Sequence, residues 1–165
     1  MVGSLNGAST MKRLKKQEIE EPLGEVIVAV SGGFDPIHVG HLRMMEEAKA
    51  MGDKLVVILN NDNWLKEKKG FVFMPQDERK EILLGIKYVN DVMISFHEKN
   101  PQDISVCAEL EVLKPDIFCN GGDRNIKNVP EVDTCKELGI KAVWNVGGKK
   151  VASSSDMVKK AVGPR

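Results

Sequence analysis

The chain predicts a single α/β domain, a doubly wound, five-stranded parallel sheet flanked by helices. Three observations carry that expectation. At 165 residues it is long enough for one well-buried core and too short for two ordinary domains. Its hydrophobic fraction of 42% is that of a globular protein. From Glu25 onward, short β-branched runs alternate with helical stretches, the pattern of βαβ units.

The first strand is Val26 to Val30, apolar throughout, as expected when helices cover both faces of a sheet. The helix after His41 places Leu42, Met45 and Ala48 on one face, and Gly52 is suited to close it. Leu55 to Leu59 form strand two, which ends in Asn60, Asn61 and Asp62, with a charged loop carrying Lys66, Lys68 and Lys69 behind it. Pro75 opens the next helix, with Asp77 and Glu78 in its first turn and Ile82, Ile86 and Val89 facing inward. Strand three is Val92 to Ser95. Asn100 and Pro101 cap a helix running to Leu113, which Lys114 and Pro115 stop. Strand four is Asp116 to Cys119, Pro130 to Gly139 is helical, strand five is Lys141 to Trp144, and a last helix follows Ser153. Residues 1–24 read as a flexible leader or solvated arm, and 25–165 as the folded domain.

Composition removes several classes of function. Lys plus Arg balance Asp plus Glu at 24 each, which argues against a general nucleic-acid binder. No apolar run approaches the ~20 residues of a membrane span, and no signal-peptide pattern is present, so a cytoplasmic protein is expected. Cys107, Cys119 and Cys135 have neither zinc nor redox spacing and read as buried reduced thiols. His97 and the tryptophans Trp64 and Trp144 read as a surface residue and packing residues respectively.

Ligands of open parallel sheets bind outside the carboxyl ends of the strands. After strand one comes Ser31-Gly32-Gly33-Phe34-Asp35-Pro36-Ile37-His38-Val39-Gly40-His41. Its glycines let the backbone approach a ligand, and His38 and His41 can point the same way at a helix start that favours phosphate. Ala152-Ser153-Ser154-Ser155-Asp156 precedes the final helix, where Ser153 can cap while hydroxyls and N–H groups hold phosphates. After strand four, Asn120-Gly121-Gly122-Asp123-Arg124 offers backbone against which a flat base can lie.

The segment Gly33 to His41 resembles the signature of the HxGH nucleotidyltransferase superfamily, in its cytidylyltransferase-like branch. Glycerol-phosphate cytidylyltransferases, heptose-phosphate adenylyltransferases and archaeal FAD synthases belong to that branch. Ser153 to Asp156 is similar to its second, Ser/Thr-rich signature, and the resemblance covers about Val26 to Val162. It implies a Rossmann-like fold and a homodimer. In catalysis it implies His38, His41 and Lys69, with nucleotide contacts from Gly32, Gly33, Phe34, Gly40, His41, Gly121, Asp123, Arg124 and Ser153 to Ser155. Asp62, Lys69 and Arg79 would meet the acceptor.

The implied reaction transfers a nucleotidyl group from ATP or CTP to a small phosphorylated acceptor and releases pyrophosphate. An ionised phosphate needs no general base, so positioning and charge stabilisation suffice. Mg²⁺ is expected to travel with the triphosphate, with no dedicated protein cage, and Asp35 is taken as structural or weakly metal-linked. Gly147-Gly148-Lys149-Lys150-Val151 stands where glycerol-phosphate cytidylyltransferases carry an arginine and Thr-Glu-Gly. Gly121-Gly122-Asp123 is similar to a segment of the heptose-phosphate enzymes. Together they tilt the expectation to a sugar phosphate adenylyltransferase. An alcohol-phosphate cytidylyltransferase and a non-catalytic nucleotide sensor are the alternatives.

Overall fold

A computed structural model describes residues 24–122 and 129–163. In it five parallel strands, β1 (Ile27–Gly32), β2 (Lys54–Leu59), β3 (Asp91–Ile94), β4 (Ile117–Gly121) and β5 (Lys141–Val146), lie in the order β3-β2-β1-β4-β5. Among the described residues the helices are α1 (Val39–Lys49), α2 (Asp62–Lys69), α3 (Gln76–Leu84), α4 (Cys107–Leu113), α5 (Glu131–Leu138) and α6 (Ser154–Val162). The chain steps outward from β1 to β3, then returns to place β4 on the other side of β1. That reversal opens a crevice at the carboxyl end of β1, where doubly wound sheets bind ligands. None of the described helices is long and apolar enough to cross a membrane.

Both faces of the sheet are covered, which is why the strands are apolar at successive positions. Val28 and Val30 of β1, with Leu55, Val57 and Leu59 of β2, pack on one side with Met44, Met45 and Ala48 of α1 and Leu83 of α3. Ala29, Ile58 and Phe118 turn to the other side, against Leu110 of α4 and Cys135 of α5. Cys119 and Cys135 are buried thiols, Cys107 is partly buried, and all three are unpaired.

Helix ends follow their local signals where those signals are strong. Pro130 precedes α5, and Gly139 closes it with φ 70, a left-handed conformation that costs glycine little. Ser153 caps α6. Expectations for four helices need correction. The charged stretch after β2 is helix α2 rather than a loop. Asn61 caps it by accepting from the Trp64 N–H at 3.0 Å. On α1 the buried face takes Met44 with Met45 and Ala48, and Leu42 is 39% exposed, because the segment after β5 packs on Met44. Lys49 ends this helix, with Ala50 rather than Gly52 as its cap. On α3 the inner face is Arg79 and Leu83, while Ile82 is exposed.

The fourth correction concerns α4, which begins at Cys107 rather than after Pro101. Asp103 accepts from the Ser105 N–H at 2.8 Å, and His97 Nε2 contacts the Ser105 carbonyl at 2.9 Å. These bonds hold the preceding segment as a loop. His97 is therefore buried, not a surface residue. A carbonyl can only accept, so Nε2 carries the proton and Nδ1 accepts from Ser95 Oγ at 2.7 Å.

Candidate active site

A pocket of about 320 Å³ lies at the carboxyl edge of the sheet. Its wall comes from the ends of β1, β4 and β5, the first turn of α1, the last residue of α2 and the first turn of α6. Lys69, Lys149 and Lys150 line it, and among the described residues no carboxylate does. Two helix N-termini add positive potential and unpaired N–H groups. An anion fits this wall.

His38 and His41 cap α1 for each other. His38 Nδ1 accepts from the Gly40 N–H at 3.1 Å, and His41 Nδ1 accepts from the His38 N–H at 3.2 Å. This is a capping box in which imidazoles replace the usual Ser and Glu. A ring nitrogen that accepts carries no proton, so each neutral ring holds its hydrogen on Nε2. The rings stack with centroids 3.7 Å apart and planes 18° apart. Phe34 meets His41 edge-on at 4.8 Å, and its left-handed backbone (φ 49) turns it there. Gly40 is required by this packing, since a Cβ there would lie 2.9 Å from His38 Cε1 and 3.0 Å from Nδ1.

Burial, with the neighbouring His38 and Lys69 charges, pushes the His41 pKa down to about 3. Burial, then Lys69 and Lys150, lowers that of His38. The pair therefore offers two neutral Nε2–H donors at neutral pH. Unfolded His41 titrates near 6.5, so between that pH and about 3 the unfolded chain binds more protons than the folded one. The stability tied to the neutral ring is complete above pH 6.5 and is lost progressively as pH falls toward about 3. Urea unfolding of wild type and His41→Gln from pH 7 to 4 measures this. The wild-type stability should fall more steeply, by at most ~1.4 kcal/mol per pH unit. Parallel slopes would remove His41 as the cause.

Lys69, the last residue of α2, lines the pocket half-buried, while Lys66 and Lys68 are exposed. Burial lowers its pKa. The Asp35 carboxylate opposes that shift, and the Arg79 guanidinium adds to it. Gly70 follows in a left-handed conformation (φ 80) that ends the helix at this lysine.

At α6, Ser153 Oγ accepts from the Asp156 N–H at 3.4 Å. Ser154 Oγ donates to the Pro36 carbonyl at 2.7 Å, tying α6 to the turn before α1. The Ser154 hydroxyl proton is thus committed within the protein, and the first-turn N–H groups before Asp156, with the Ser155 hydroxyl, remain for an anion.

Arg79 departs from its expected place facing an acceptor. Its side chain is fully buried, and four of its N–H donors go to the Met74, Gly33 and Asn60 carbonyls at 2.8, 2.8 and 2.6 Å and to Asp62 Oδ1 at 2.7 Å. Asp62 is drawn into that ion pair and does not line the pocket. Asp35, also buried, accepts from the Phe73 and Met74 N–H groups at 2.7 Å each, a structural role.

Gly32, Phe34, Gly40 and Gly121 line the pocket with the histidines and serines. Gly33 lies behind it, where a Cβ would meet Leu65 at 3.0 Å. Asp123 and Arg124 lie outside the described residues. Sequence reasoning missed Ser31, Met44 and the strap from Val146 to Ala152 as wall. The paired glycines signalled the strap: Gly147 (φ 91) lies on Met44, where a Cβ would come within 2.9 Å of its Cα.

A doubly wound sheet with a phosphate-suited pocket at its switch point is the arrangement in which many α/β proteins bind nucleotides. Residues 29–161 match the cytidylyltransferase-like family model, and the chain belongs to that family. It is 37% identical over 134 residues to the bifunctional protein HldE of Aliarcobacter butzleri, a match covering 80% of this chain and 26% of that protein. With the FAD synthase of Pyrococcus abyssi it shares 36% over 115 residues, 69% of this chain and 74% of the synthase. The match therefore spans about a quarter of the HldE protein and about three quarters of the synthase. The crystal structure of the lipopolysaccharide core biosynthesis protein from Thermoplasma volcanium has the same fold, with a TM-score of 0.60 at 22% identity, over 73% of this chain and 96% of that one.

Proposed function

We propose that this protein is a nucleotidyltransferase that moves a nucleotidyl group from ATP or CTP to a small phosphorylated acceptor, with a sugar phosphate and ATP as the leading pair. The observation that carries this is a pocket wall that, among the described residues, consists of two Nε2–H imidazoles, three lysines and two helix N-termini with no carboxylate. An acceptor phosphate oxygen attacks the α-phosphorus in line. The new oxygen–phosphorus bond forms as the bond to the β-phosphate bridging oxygen breaks, and pyrophosphate leaves.

His38 and His41 donate to the oxygens on which charge grows, and the α6 N-terminus with Ser155 holds the terminal phosphates. Lys69 bridges the acceptor and α-phosphates. Gly121 receives the base, and Asp123 and Arg124 are assigned to the nucleotide. Among the described residues no group of three or more His, Cys, Asp or Glu could hold a metal ion. Mg²⁺ carried in on the triphosphate would neutralise phosphate charge there, and no residue of the chain is assigned to hold it. A cytoplasmic homodimer acting on small molecules, not nucleic acid or membranes, completes the reading.

The test is pyrophosphate release with Mg²⁺, crossing ATP and CTP with sugar phosphates, glycerol 3-phosphate, phosphocholine and FMN. One active pair is expected and names the reaction. Triphosphate binding with no release across the grid would overturn the transferase reading in favour of a sensor.

A further inference from the structure

We infer that Arg79 is a positioning residue of this pocket, a buried clamp that sets Lys69 against the histidine pair without touching either substrate. The inference rests on the transferase reading above. Arg79 is on α3, outside the pocket wall, and each of its three guanidinium nitrogens bonds to the protein. Its acceptors belong to different parts of the site. The Gly33 carbonyl lies in the turn that leads to Phe34 and His38. The Asn60 carbonyl ends β2, just before the Asn61 cap of α2. Asp62 is the first residue of α2, whose last is Lys69, and Met74 closes the loop after it.

A second observation supports the clamp. Gly33 presents no side chain to α2, and a Cβ there would stand 3.0 Å from Leu65 Cδ2 and 3.2 Å from Trp64 Cζ3. The turn carrying the histidines and the helix carrying Lys69 are therefore packed together at the residue whose carbonyl Arg79 holds. An arginine is suited to this role because its planar, permanently charged fork can satisfy several acceptors in fixed directions. A lysine at the same place offers three donors from one point and cannot reproduce that span. Misplacing a catalytic cation by about 1 Å costs on the order of 10²-fold in rate.

A double-mutant cycle on turnover tests the coupling, using Arg79→Lys, Lys69→Ala and the double variant, with triphosphate dissociation constants measured in parallel. Arg79→Lys should lower kcat at least 10-fold while triphosphate affinity stays within about 3-fold. In the Lys69→Ala background the same change should cost less than about 2-fold, because the residue it positions is gone. Additive losses would overturn the inference. So would a loss confined to acceptor KM, which is the signature of a direct ligand. If Arg79→Lys does not fold, Asp62→Ala replaces it in the cycle, since that change leaves the three carbonyl bonds and removes the side-chain tie to α2. The same non-additivity is expected, and additivity again refutes the clamp. An inactive wild-type protein would overturn the transferase reading and this inference with it, whereas an active one with additive losses overturns the clamp alone.

Discussion

Replacing His38 by asparagine should leave the fold intact and lower turnover by about 10²- to 10³-fold. The side chain has two separable tasks. Its Nδ1 accepts from the Gly40 N–H and caps α1. Its Nε2–H remains for a ligand. Asparagine is among the best N-cap residues, and its carbonyl oxygen can replace Nδ1, so helix stability should change by only a few tenths of a kcal/mol. The donor at the Nε2 position is lost, and with it the stabilisation of charge at the α-phosphate. Glutamine reverses the exchange: it carries an N–H further out and caps poorly, costing about 1 kcal/mol of stability while keeping more of the rate. Thermal melts and single-turnover rates of both variants check the pattern. An asparagine variant as fast as wild type would remove His38 from the catalytic set and leave it a cap.

Asp35→Ala should be the most damaging change to stability near the site. The carboxylate is fully buried and accepts two 2.7 Å bonds from the Phe73 and Met74 N–H groups. Deleting it strands both donors, at about 1–3 kcal/mol for each left unsatisfied. A loss of about 3–5 kcal/mol in urea unfolding is expected. The loop after Lys69 would loosen, so the acceptor KM should rise. The histidines and the α6 N-terminus stay in place, and triphosphate affinity should hold within a few-fold. Unchanged stability together with an altered Mg²⁺ requirement would instead make Asp35 a metal-linked residue.

The parts of the site that were legible in the sequence are those that rest on local chemistry. A histidine pair three residues apart behind glycines, and serines before a last helix, are read as caps and anion sites because their partners lie within a few positions. Strand positions were legible because burial on both faces demands unbroken apolar runs. Arg79 was not, since charge composition normally marks a surface. Only the convergence of carbonyls at positions 33, 60 and 74 with the Asp62 carboxylate explains its burial. His97 was misread for the same reason, its partners being Ser95 and Ser105 on either side of a loop whose path the sequence does not state.

Helix α2 shows the limit from the other direction. Asp62 to Lys69 holds only two apolar residues, Trp64 and Leu65, adjacent rather than periodic, so no amphipathic stripe announces it. It is held by the Asn61 cap, by the contact of Leu65 and Trp64 with Gly33, and by the bond from Arg79 to Asp62.

The sequence by itself therefore determined the doubly wound sheet, the histidine pair and the serine-capped helix. Tertiary structure alone decided that Lys69 closes a helix, that Arg79 works behind the pocket, and that the strap after β5 forms its wall. The division has one physical cause. Periodicity and capping are encoded within a few residues. The burial of a charge depends on acceptors brought together from distant parts of the chain.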